Sequence, residues 1–156
     1  MNYESMPLSE KMKRSSLLNR VAEIAMEEKQ EAEQLTTISG FCSHLFEIRD
    51  MAHFYHLTAC KDFSEHLITE ILYKELTKLT DSLVESSQNE EKLYLCINKV
   101  CVEGDIIEEL TEETEEIEKN RFIFPKTYQQ SIIDIIVQLL NTTIYKLKLN
   151  RGAFAQ

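Results

Sequence analysis

The chain has 156 residues, a formal net charge of −10, and only three glycines and two prolines. So few turn formers exclude a hairpin-rich sheet fold and favour long helices in one domain with a real core. The acidic balance speaks against a nucleic-acid footprint, and no apolar run approaches the roughly 20 residues of a membrane span.

The opening stretch, "MNYESMPLSEKMKRSS", is not followed by an apolar run of the signal-peptide type. Residues 9–34 read as a helix, with Ser9 as cap and Leu17, Val21 and Ile24 one turn apart. "TTISG" (36–40) marks a break, because Gly40 and β-branched residues weaken helix. A second helix is expected over 41–59, where Phe41, Leu45, Ile48, Ala52 and Tyr55 share one stripe. A turn, "ACKD", follows, with Asp62 or Ser64 placed to cap the next helix.

Residues 63–88 carry the strongest helical period, through Ile68, Leu72, Leu76, Leu79 and Leu83. "EEKLYLCINKVCVEGD" has a short apolar run that suits helix or strand, and is read as helix from its context. Gly104-Asp105 interrupts it before a charged helix over 106–120, whose run "EELTEETEEIEK" reads as a solvated face. Pro125 ends that element. Residues 127–148 form a last helix with an apolar face so wide that it implies burial on more than one side, within a bundle or between subunits. The chain reads as one domain over 1–156, with 1–8 and 150–156 as frayed tails. Cys42, Cys60, Cys96 and Cys101 contain no C-x-x-C pair and read as reduced thiols of a cytoplasmic protein.

Three of the four histidines, His53, His56 and His66, fall within fourteen positions. With His66 at zero and about 100° per residue, Glu70 falls near 40°, Asp81 near 60° and Glu85 near 100°, away from the leucine stripe. His66 and Glu70 are one turn apart, as are Asp81 and Glu85, so each pair can chelate an ion. The pairs themselves lie roughly 22 Å apart along the helix. An antiparallel second copy matches 66 with 85 and 70 with 81, so a two-fold homodimer makes two shared sites. His53 or His56 would complete each. A rival set, His53, His56, Cys60 and His66, would bind zinc across the turn. His44 falls outside the cluster and reads as structural or exposed.

The series His66-Leu-Ile-Thr-Glu70, ten residues, then Asp81-Ser-Leu-Val-Glu85 resembles the ferroxidase signature of the Dps mini-ferritins. Glu70 stands where that family usually has Asp. The first histidine is off register, His53 by one residue and His56 by two, and the tryptophan that follows it is absent. The stretch His56-Leu57-Thr58 and the ending "IIDIIVQLLNTTIYKLK" also resemble short tailed-phage proteins, over roughly 45–90 and 127–148. These resemblances imply a ferritin-like four-helix bundle with an extra N-terminal helical segment. They imply iron binding and Fe(II) oxidation, with His53 or His56, His66, Glu70, Asp81 and Glu85 as metal ligands. The chain would form a homodimer or larger homo-oligomer in the cytoplasm, the host's if phage-encoded. The competing expectation is a non-catalytic helical interaction or virion-associated protein that keeps the fold.

Overall fold

Thr37 starts the first helix of the computed structural model: its hydroxyl accepts from the Gly40 amide at 3.0 Å, an N-cap bond. The structure describes Arg20 and residues 35–58, 62–89, 92–98, 100–102 and 104–153. The chain divides into two compact units, 1–34 and 35–156, and the account below concerns the second. The helix expected over 9–34 lies outside the described residues, apart from Arg20.

Four α-helices follow in order: α1 (Ile38–Thr58), α2 (Phe63–Ser87), α3 (Ile106–Asn120) and α4 (Thr127–Asn150). Each start has a chemical cause. Asp62 caps α2 by accepting from the Glu65 amide at 2.7 Å, and Asp105 caps α3 by accepting from Ile107 at 2.9 Å. A single 3-10 turn over Arg121–Ile123 and Pro125 separate α3 from α4. Among the described residues there is no strand, and no helix is long and apolar enough to cross a membrane.

The expected stripes meet in one core. Phe41, Leu45, Ile48 and Ala52 of α1 are buried with Leu72, Leu76 and Leu83 of α2, Ile106, Leu110 and Ile117 of α3, and Ile133, Ile136, Leu140 and Leu147 of α4. Phe124 closes one end, edge-on to Phe41 with ring centroids 4.9 Å apart. The wide face of α4 is only partly used, since Ile135 and Leu149 remain about half exposed.

Side-chain bonds between helices fix their directions. Tyr55 with Glu65 makes α1 and α2 antiparallel, and Arg151, bonded to both Tyr55 and Asp105, brings the end of α1 to the start of α3, while Phe41 meets Phe124 at the other end. Ser87 with Gln129 at one end and Asp62 with Asn150 at the other set α4 against α2. α1 and α4 each pack beside α2 and α3, so they occupy opposite corners. Hence α2 and α3 run the same way, and the chain must climb the length of the bundle between them.

That climb corrects one expectation. Residues 92–102, read as helix, are irregular in their described part. The amides of Tyr94, Cys96 and Asn98 donate to Ser39 Oγ (3.0 Å), Ser43 Oγ (3.0 Å) and Glu47 Oε1 (2.8 Å) of α1. Alternate amides pointing one way mean an extended chain. Two extended residues advance about 6.6 Å and four helical residues about 6.0 Å, so the two periods match. Leu93, Val100 and Val102 pack against the core while the amides are satisfied by helix side chains.

Candidate functional site

The turn between α1 and α2 brings the histidines together. His56 and His66 stack, with ring centroids 3.8 Å apart and planes 24° from parallel. His56 Nδ1 donates to the His66 carbonyl at 2.9 Å, and His66 Nδ1 donates to the His56 carbonyl at 3.3 Å. A carbonyl only accepts, so each Nδ1 carries a hydrogen, and in the neutral form of either ring the lone pair lies on Nε2. Thr69 also donates to the His66 carbonyl, at 3.1 Å. His53 joins through Tyr73, whose ring stacks on it at 4.3 Å, and lies 6.3 Å from the His56 ring. The sequence reading did not include Tyr73 in the site; its spacing one turn from Glu70 and two from His66 was the available signal.

Glu70 sits on the solvent side of this group and is paired with Lys74. The hydrogen bond from Lys74 and its charge hold the Glu70 carboxyl below its usual range, with smaller contributions from His56 and His66. Asp81 and Glu85 are exposed farther along α2, and the roughly 22 Å from His66 puts them beyond the reach of the same ion within one chain.

The face drawn from His66 to Glu85 is therefore divided. Glu70, Asp81 and Glu85 look outward, whereas His66 is turned onto α1. Along the same helix Val84 is 7% exposed and Tyr73 lies against the core. The reason is the close antiparallel packing of α1 and α2, which needs that stripe. Cys60, the fourth ligand of the zinc alternative, lies outside the described residues. Among the described residues, no three His, Cys, Asp or Glu side chains are grouped to hold a metal ion.

His44 belongs to a different cluster. Its Nε2 bonds Glu113 of α3 at 2.5 Å and its Nδ1 bonds Glu47 at 3.4 Å. Burial pushes His44 down, but the hydrogen bonds and charges of Glu113 and Glu47 outweigh it and raise the ring to about 9. At neutral pH it is an imidazolium joining α1 to α3.

What the histidine pair can do follows from its bonding. Imidazoles whose Nδ1–H is fixed by a carbonyl are the usual form of metal-binding histidine, because the second bond sets tautomer and ring orientation. Imidazole and carboxylate are ligand types that suit Fe(II) or Zn(II), but the stacked rings aim their lone pairs along near-parallel planes, so His56, His66 and Glu70 do not converge on one ion as they stand.

No curated protein and no solved structure matches the chain. A family model does match residues 56–147, from His56 in the last turn of α1 to Leu147 in α4. That is more than half of the sequence, and the chain belongs to this family, DUF5856, a family of unknown function.

Proposed function

We propose that the chain is a ferritin-like iron-binding protein that oxidises Fe(II) at a site completed by a second copy. The observation that carries this reading is the reciprocal pair of His56 and His66, each ring oriented by the other's carbonyl with Nε2 left to bind. The bundle supports it, since one long crossover between the second and third helices is the ferritin-like connection. His66 and Glu70 would hold the ion on one chain, with His56 or His53 as the further histidine once the stacked rings part. Asp81 and Glu85 of the second copy supply the remaining carboxylates. Iron bound there is the substrate, and oxygen or peroxide is the electron acceptor. This chain's residues bind and orient the ion and offer carboxylates to neutralise its charge.

Anaerobic titration with Fe(II), and with Co(II) as a redox-silent probe, tests the reading. Wild-type protein should bind at micromolar concentration and consume oxygen once Fe(II) is added in air. His66→Ala and Asp81→Ala/Glu85→Ala should each weaken binding at least tenfold while keeping helical circular dichroism. No binding by wild type, or full binding by His66→Ala and His56→Ala, would sink it.

A second reading, a non-catalytic interaction protein, rests on one observation. Leu57, Phe63, Leu67 and Ile71 stand exposed at the α1–α2 corner, Phe63 at 74%. Loss of metal binding with retained capture of a protein partner would favour it.

A further inference from the structure

The extended segment Lys92–Asn98 has two backbone edges, and only one is used. The amides of Tyr94, Cys96 and Asn98 face α1 and are bonded to its side chains. In an extended chain the amides and carbonyls between them point the opposite way. Those of Leu93, Leu95 and Ile97 have no partner among the described residues. The side chains beside this edge are apolar and open to solvent: Tyr94 is 71% exposed, Leu95 43% and Ile97 47%. An apolar edge with regularly spaced free donors and acceptors is the feature that natural sheets cover or blunt, and that extended partners use to pair.

We propose that this edge pairs with the same edge of a second copy, antiparallel, about a two-fold axis at Leu95. That register sets Leu95 against Leu95 and Leu93 against Ile97, and every one of the three free amides meets a carbonyl. The charge order selects the direction. Antiparallel pairing sets Lys92 against Asn98, whereas in-register parallel pairing would set Lys92 against the Lys92 of the second copy. The pairing is self-complementary, as a closed two-fold dimer requires. It joins two bundles through their crossovers, on the side of α1 opposite the core, and leaves the outward face of α2 free. It therefore stands independently of the iron reading.

Sedimentation in chelator-containing, metal-free buffer, with amide hydrogen exchange at low and high protein concentration, tests it. The protein should dimerise at micromolar concentration. The amides of Leu93, Leu95 and Ile97 should exchange at least tenfold more slowly in the dimer, while those of Tyr94, Cys96 and Asn98 are protected at both concentrations. Leu95→Pro removes a donor that the monomer does not use, and Leu95→Lys puts like charges at the axis. Each should weaken the dimer at least tenfold and leave the Tyr94, Cys96 and Asn98 amides protected. A monomer at 100 micromolar or above, or a dimer in which the three outward amides exchange freely, would overturn the proposal. So would a dimer unaffected by both substitutions.

Discussion

His44 shows how one residue changes meaning when its distant partner is known. The ring is raised to about 9 in the folded chain against an ordinary value near 6.5. A raised histidine binds its proton more tightly when folded, so its contribution is complete below about pH 6.5 and is lost as pH rises through about 9. With its side chain 18% exposed, the loss should be on the order of 2 kcal/mol across that window after allowance for solvent screening. Urea unfolding at pH 6 and pH 9.5 should show it, and His44→Gln should flatten the difference; an unchanged slope in the variant would assign the pH dependence elsewhere. Glu113 lies 69 residues away on a helix whose glutamates all read as solvated, so no local pattern links the two. The His56–His66 pair was closer to legible, because both lie beside one turn. Their bonds to each other's carbonyls were not, since a backbone acceptor leaves no mark in sequence.

At the scale of elements, legibility follows period. α2 was readable almost to the residue because Leu72, Leu76 and Leu83 repeat along one side for 25 residues, and Asp62 sits at its start. The crossover was not, because its apolar run is too short to show either period, and what holds it is the row Ser39, Ser43 and Glu47 on another element. Ser43 is the central rung: its hydroxyl donates to the Ser39 carbonyl at 2.9 Å and accepts from the Cys96 amide. Ser43→Ala removes that acceptor without changing the packed volume much. The cost should be about 1 kcal/mol, the scale of one hydrogen bond, and should fall locally. Exchange of the Cys96 amide should speed about fivefold while the amides of Leu76 and Leu140 keep their global protection. Equal acceleration at all three sites would mean that the crossover and the bundle open together.

At the scale of the molecule, one residue ties all four helices at one end. Arg151 donates from Nε to Glu65 Oε1 at 2.5 Å, from Nη2 to the Tyr55 hydroxyl at 2.9 Å, and from Nη1 to Asp105. Asn150 and Arg151, expected as the start of a frayed tail, are held by this clamp and by the bond of Asn150 to Asp62. Tyr55 completes the ring by donating to Glu65 Oε2 at 3.1 Å, and Asn150 bonds Asp62 beside it. Thus the last residues of α1 and α4 meet the first turns of α2 and α3, where carboxylates also favour the helix N-termini. Glu65 is only 5% exposed, so its partner decides whether its charge is tolerable. Arg151→Met should cost about 3 kcal/mol, because it leaves a buried carboxylate without its cation. Glu65→Gln in the same chain should recover much of that loss, since the buried group is then neutral and can still bond Tyr55. The double-mutant cycle should therefore give a coupling of about 2 kcal/mol between Arg151 and Glu65 by urea unfolding. Additive losses would show that Arg151 acts through Asp105 and Tyr55 and not through Glu65.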